Sequence, residues 1–294
     1  MINVSVDSEF GVLKKVILCR ANPFRITWEE IKTVLQPSVF HQIASNKTGY
    51  FNYKIIRAEQ DYFIEILKSN GVEVLLADNI NTLSAQHYTR DIGFAIDDLF
   101  VIAKMGTNLR TKEQPSIYKY TAQFKNKIAI TRGSIEGGDV MLHKKRVLVG
   151  LGEASNMEGV NNLKEILQTQ NNSREVVPIH FSHRGVIHLD TKFNIVGDGI
   201  AIITPKSFEK SSLRWLENNF DLIEATEKET KEIVINTFSV APNKLIMKRG
   251  SERLGKIIND KGITPIFIKY SEVTKLPGSL RCTTCPIERE NFYI

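Results

Sequence analysis

Four times along the chain a short apolar run is broken by polar residues and followed at once by a second apolar run. The stretches are FAIDDLFVIAK (94–104), DVMLHKKRVLVG (139–150), FNIVGDGIAIITP (193–205) and NTFSVAPNKLIMK (236–248). The breaks carry Asp97-Asp98, Lys144-Lys145, Asp198-Gly199 and Pro242-Asn243, so each stretch predicts a β-hairpin. Each second run is nearly all apolar, the pattern of a strand covered on both faces. Most hairpins are followed by apolar residues at helical spacing. In SNMEGVNNLKEIL, Val160, Leu163, Ile166 and Leu167 share one face, and Ser155 with Glu158 has the spacing of a capping box. PKSFEKSSLRWLENN and GSERLGKIINDKG take the same place in the next two units, with Gly262 as the stop of the last helix. A short strand closes each unit: VVPIHF, DLIEAT and TPIFIK.

The unit is therefore strand–strand–helix–strand, recurring about every 45–55 residues, in the range of propellers and solenoids. The two ends of the chain supply a fifth copy. SLRCTTCPI would pair with GVLKKVILC, followed by a helix around IIRAEQDYFIEILKSNG and the strand VEVLLA. Closing a ring with N- and C-terminal strands removes open sheet edges. The expectation is a five-bladed, pseudo-symmetric α/β propeller, formed by residues 1–294 as a single domain. A doubly wound parallel sheet is the alternative, but it has no use for so many hairpins.

Composition narrows the class. With 42% hydrophobic residues the chain can bury a sizeable core, and its 24% charged residues are not the excess of a disordered segment. The opening MINVSVDSEF lacks the basic and apolar regions of a signal peptide, and no apolar stretch is long enough to span a membrane. Three cysteines, an odd number, argue against a disulfide scaffold and for a reducing cytoplasm. The net charge of +6 is spread along the chain without a nucleic-acid-binding signature, its longest run being Lys144-Lys145-Arg146. It reads as a solvated basic surface, with neither nucleic acid nor membrane as a partner.

The chemistry-bearing residues stand just ahead of the hairpins. They are Thr89-Arg90-Asp91, Glu136-Gly137-Gly138-Asp139, His188-Leu189-Asp190 and, opening the fifth unit, Gly278-Ser279-Leu280-Arg281-Cys282. The fourth unit offers only Asn236 and Thr237. In a ring of equivalent blades these positions converge on one end of the axis. Carboxylates can hold a flat guanidinium by paired, charge-assisted hydrogen bonds. A cysteine is the natural nucleophile, and a histidine can protonate a leaving amine and then deprotonate water.

TRDIGF, IEGGDVML, HLDTKFNIV and GSLRCTTCPI, in that order, resemble the motifs of the guanidino-group-modifying enzymes. These are the arginine deiminases, dimethylarginine dimethylaminohydrolases and amidinotransferases, and the likeness is greatest to the compact bacterial dimethylaminohydrolase-like branch. It runs from EFGVLKKVI to the last motif and implies the five-fold propeller reached above. It further implies Cys282 as nucleophile, His188 as general acid/base and Glu136 as the carboxylate that orients it. Asp91 and Asp190 match the pair that grips the guanidinium, and Asp139 stands beside them as a further substrate-binding candidate. The implied reaction is attack by Cys282 on the guanidino carbon, a covalent S-thiouronium, and hydrolysis to a ureido product. No metal or organic cofactor is implied. The partner is a small cationic guanidino or amidino substrate, and a homodimer is compatible with the reading. An amidinotransferase, with an amine in place of water, is the first alternative, and a non-catalytic binding propeller the second.

The rival readings of the C-x-x-C stretch are zinc and redox. Zinc needs a second ligand pair, which Cys19, His180 and His183 supply poorly, and a redox pair normally opens a helix. Cys285 is then a core filler, and Cys19, in VILC, buried and inert. The carboxylates near Cys282 should raise its pKa until a bound guanidinium offsets them. Where arginine-directed members of the family carry an arginine for the substrate's α-carboxylate, this chain has Ala154. Arg132 and Arg184 are the positional candidates to compensate; otherwise the substrate lacks that carboxylate. IASNKTGYFNYK (43–54) is the candidate lid.

Overall fold

The computed structural model describes residues 1–21, 52–80, 85–276 and 278–293. The chain starts the closing blade with β1 (Leu13–Leu18), helix α1 (Tyr53–Ser69) and β2 (Glu73–Leu76). The hairpin of β3 (Gly93–Ile96) and β4 (Leu99–Ile102) follows, then short helices α2 (Asn108–Thr111) and α3 (Tyr118–Thr121) and strand β5 (Lys127–Ala129). The next unit is β6 (Val140–His143), β7 (Arg146–Leu151), α4 (Met157–Thr169) and β8 (Glu175–His180). After it come β9 (Phe193–Gly197), β10 (Ile200–Ile203), α5 (Lys210–Asn219) and β11 (Asp221–Glu224). The short helix α6 (Glu227–Lys231) leads to β12 (Phe238–Ala241), β13 (Lys244–Lys248), α7 (Glu252–Asp260) and β14 (Thr264–Ile268). Strand β15 (Cys285–Arg289) returns to β1.

Each blade is a three-stranded sheet in which a hairpin is extended by a parallel third strand. The fifth is closed as expected, with Ile17 opposite Cys285 in an antiparallel pair and β2 parallel to β1. Three of the hairpin turns place a residue in the left-handed region, Asp97 (φ 54°), Lys144 (φ 51°) and Gly199 (φ 65°), as tight two-residue turns require. Strands β3, β6 and β9, each the first of its blade, are wholly buried, since each faces the axis on one side and its own blade on the other. Helices α1, α4, α5 and α7 each bury one apolar stripe, and the core divides into clusters that the blades share.

Two details differ from the expectation. The N-cap of α4 is Asn156, whose Oδ1 accepts from Gly159 N at 2.9 Å, because Ser155 is drawn inward to other partners. The blade of β3 and β4 has no amphipathic helix, only the short helices between residues 108 and 121, so its repeat is weak in the sequence. The lid reading of 43–54 lies, but for its last three residues, outside the described residues. No helix among the described residues is long and apolar enough to cross a membrane.

Candidate active site

The chain makes a tight turn before the first strand of each blade, and each turn delivers polar side chains. Asp91 precedes β3, and Glu136 precedes the 3-10 turn Gly137–Asp139 that enters β6. His188 precedes the 3-10 turn Leu189–Thr191, so Asp190 is delivered by that turn and not by a strand. Asn236 precedes β12, and Cys282 precedes β15. All are buried, with Cys282 only 2% exposed and His188 4%. Glycine is required between the two acids of the second turn. A Cβ on Gly137 would lie 2.0 Å from the Arg90 carbonyl oxygen, and one on Gly138 would lie 2.7 Å from His188 Cγ.

Glu136 Oε2 lies 2.9 Å from His188 Nε2, and Asp91 Oδ1 lies 3.7 Å from the other ring nitrogen. Glu136 is fixed in turn, its Oε1 accepting from Gly106 N at 2.9 Å. Cys282 Sγ is 3.5 and 3.7 Å from the Asp190 carboxylate oxygens, and Asn236 Nδ2 donates to it at 3.2 Å. Asp190 also accepts from Arg281 Nη1 at 3.0 Å. Of the residues expected to bind substrate, Asp139 is placed differently. Its Oδ2 accepts from Ser155 Oγ at 2.6 Å and its Oδ1 from Leu189 N at 2.8 Å. It therefore ties the Glu136 turn to the His188 turn instead of pointing at the thiol. Arg132 is exposed and paired with Glu165 on α4, away from these turns. Arg184 is exposed and lines a cleft of about 370 Å³ with Gly152, Glu153, Phe181 and Val186. Ala154 is buried, and its carbonyl oxygen would lie 2.9 Å from a Cβ at Gly106.

Three members of the site were not singled out from the sequence. Arg110, on α2, donates through Nη1 to Asp91 Oδ2 at 2.7 Å and lies 3.4 Å from Glu136 Oε2. Its Nη2 and Nε donate to Glu113 at 2.8 and 3.1 Å. Arg110 and Glu113 lie in the connection that carries no repeat signal. The third is Asn236, whose signal was its place ahead of the fourth hairpin.

Burial and the neighbouring Asp190 and Asp91 push the Cys282 thiol well up. Burial works against a charged imidazole, yet Asp91, the hydrogen bond that the ring donates to Glu136, and Asp139 outweigh it and bring His188 up to about 10. Burial also works against the Asp91 carboxylate, but His188 and Arg110 hold it down. Burial outweighs Arg110 at Glu113 and raises it, and burial brings Asp139 up to about 7. At neutral pH the resting site thus pairs a neutral thiol with an imidazolium. Cys285 Sγ donates to Gly93 O at 3.3 Å, and Cys19 is fully buried. Burial brings each of these two thiols up to about 12.

Asp91, Glu136 and His188 present atoms within 4.8 Å of one another, a spacing a metal ion could use. Arg110 already supplies the positive charge there, bonded to one of the acids and within reach of a second. Replacing Arg110 by methionine leaves Asp91, Glu113 and Glu136 buried without their common counter-charge, at a cost of about 3–5 kcal/mol. Urea unfolding is expected to show that loss as a lower midpoint with an unchanged slope.

A sequence model of the arginine deiminase family matches residues 79–221, a span that holds Asp91, Glu136, His188 and Asp190. The uncharacterized protein YkgA of Bacillus subtilis is 31% identical over 285 residues, covering 96% of this chain and 94% of that one. The N(G),N(G)-dimethylarginine dimethylaminohydrolase of Mycobacterium tuberculosis is 23% identical over 274 residues, covering 90% and 89%. Among solved structures, SxtG, an amidinotransferase of saxitoxin biosynthesis from Microseira wollei, superposes with a TM-score of 0.79 at 14% identity over 99% of this chain and 98% of that one. Fold and motifs together define a pentein. The chain belongs to the guanidino-group-modifying superfamily.

Proposed function

We propose that this protein is a cysteine-dependent hydrolase of a guanidino or amidino carbon. The observation that carries the reading is the meeting of Cys282, Asp190, His188, Glu136 and Asp91 in one buried group, each delivered by the turn before the first strand of a blade. A cationic head drawn to Asp190 and Asp91 offsets the charges that keep the thiol protonated, and Cys282 gives its proton up to solvent as the substrate enters. Sγ bonds to the central carbon. The C–N bond then breaks, and the leaving amine takes its proton from the His188 imidazolium. Neutral His188, held by Glu136, next accepts a proton from water, which attacks the S-thiouronium carbon. The C–S bond breaks, the thiolate leaves, and the ureido product departs.

The family match and the dimethylaminohydrolase relative support water as the acceptor. Ala154 carries no charge, and Arg110 is engaged by carboxylates on more than one side, which favours a guanidine or amidine without a carboxylate at that place. The test is product mass after incubation with arginine, methylated arginines, agmatine and simple guanidines, each with and without an amine acceptor. A ureido product from an uncarboxylated guanidine, formed without the amine, is the expected result. Transfer only in the presence of the amine would make the protein an amidinotransferase.

A further inference from the structure

Asn236 is 1% exposed on the turn before β12. Its neighbours fix which way its amide points. Oδ1 accepts from Arg281 N at 2.9 Å and from Cys282 N at 3.2 Å. The reversed amide would aim its NH2 at two N–H donors, so Nδ2 is the group that faces Asp190 O at 3.1 Å and Cys282 Sγ at 3.2 Å. One side chain thereby holds the backbone of the thiol-bearing turn and donates to the sulfur itself. The Asp190 carboxylate beside the sulfur is an acceptor only. It can take a bond from a thiol but repels a thiolate.

We propose that Asn236 is the positioning residue of the Cys282 thiolate, fixing the sulfur through its backbone and stabilising its ionised form by the Nδ2 hydrogen bond. This rests on the reading of Cys282 as the nucleophile. A hydrogen bond to an ionised sulfur is stronger than one to a thiol, so its loss shows in the ionisation equilibrium as well as in the rate.

The probe is 2-chloroacetamidine, a cationic alkylating agent. The thiolate forms an S–C bond, chloride leaves, and the thiol proton has gone to buffer. The alkylation rate is followed against pH, with the modified residue located by peptide mass and Cys282→Ala as the blank. In Asn236→Ala the inflection is expected to move up by about one pH unit, with alkylation about tenfold slower below it. Asn236→Asp keeps an acceptor for the two backbone N–H groups, loses the donor and adds a charge, and its inflection is expected to move further up. A folded Asn236→Ala that is slower at every pH with an unmoved inflection reduces Asn236 to a structural role and overturns the proposal. Should the alanine variant fail to fold by circular dichroism, an inflection in Asn236→Asp equal to that of wild type overturns it equally. Absence of label on Cys282 in wild type overturns the nucleophile reading, and the proposal with it.

Discussion

Cys282→Ala is expected to lose turnover by at least about 10⁴-fold while remaining folded. The substitution removes one buried sulfur and its bond from Asn236 but leaves Asn236 anchored to three backbone groups, so the turn keeps its shape. No second thiol can substitute. Cys285 Sγ is turned to Gly93 O, and Cys19 contacts Arg20 O and Asn79. Substrate binding should survive, since Asp91 and Asp190 remain. Calorimetric binding with product formation under the same conditions separates the two effects. Residual turnover within tenfold of wild type would mean that the sulfur is not the attacking group.

Replacing His188 by asparagine is expected to slow the reaction by about 10²–10⁴-fold, the usual range for a removed general acid/base. In the proposed mechanism both half-reactions need the ring, so mass spectrometry under turnover should find whatever adduct forms persisting on Cys282. The same variant tests the electrostatics. Because the folded-state pKa of His188 is raised to about 10 from its ordinary 6.5, its charge contributes stability that is fully present below about pH 6.5. That contribution is lost as pH rises through about 10. The melting-temperature difference between wild type and His188→Asn should therefore be largest in acid and shrink across pH 7–10. A difference that grows with pH would mean that the imidazole is held neutral.

Much of the fold was legible because each hairpin repeats a local rule: an apolar run, two turn residues and an apolar run, which the axis-facing sheets impose blade after blade. The meeting of Cys282, His188, Glu136, Asp91 and Asp190 was legible for the same reason, since they stand ahead of equivalent strands. Asp139 misled because its sequence place is equivalent but its side chain is spent on Ser155 and Leu189 N, contacts set by tertiary packing. Ser155 misled in the same way, being read as a cap when it had been drawn to Asp139. Arg110 and Glu113 gave no signal because their connection has no amphipathic period and no motif. Only the fold brings them against Asp91, by way of the short helices that replace the long one of the other blades.

The pairing of β1 with β15 has a consequence for assembly. The sheet leading from Cys282 joins strands separated in sequence by all four other blades, so its loop-closure entropy is the largest in the ring. A chain in which only the four hairpin blades had formed would hold His188, Glu136 and Asp91 together and leave Cys282 outside the group. Cys282 would join the acids as the β1–β15 seam shuts, and a local opening of that seam would withdraw it. Thiol reactivity is thus expected to report on ring closure.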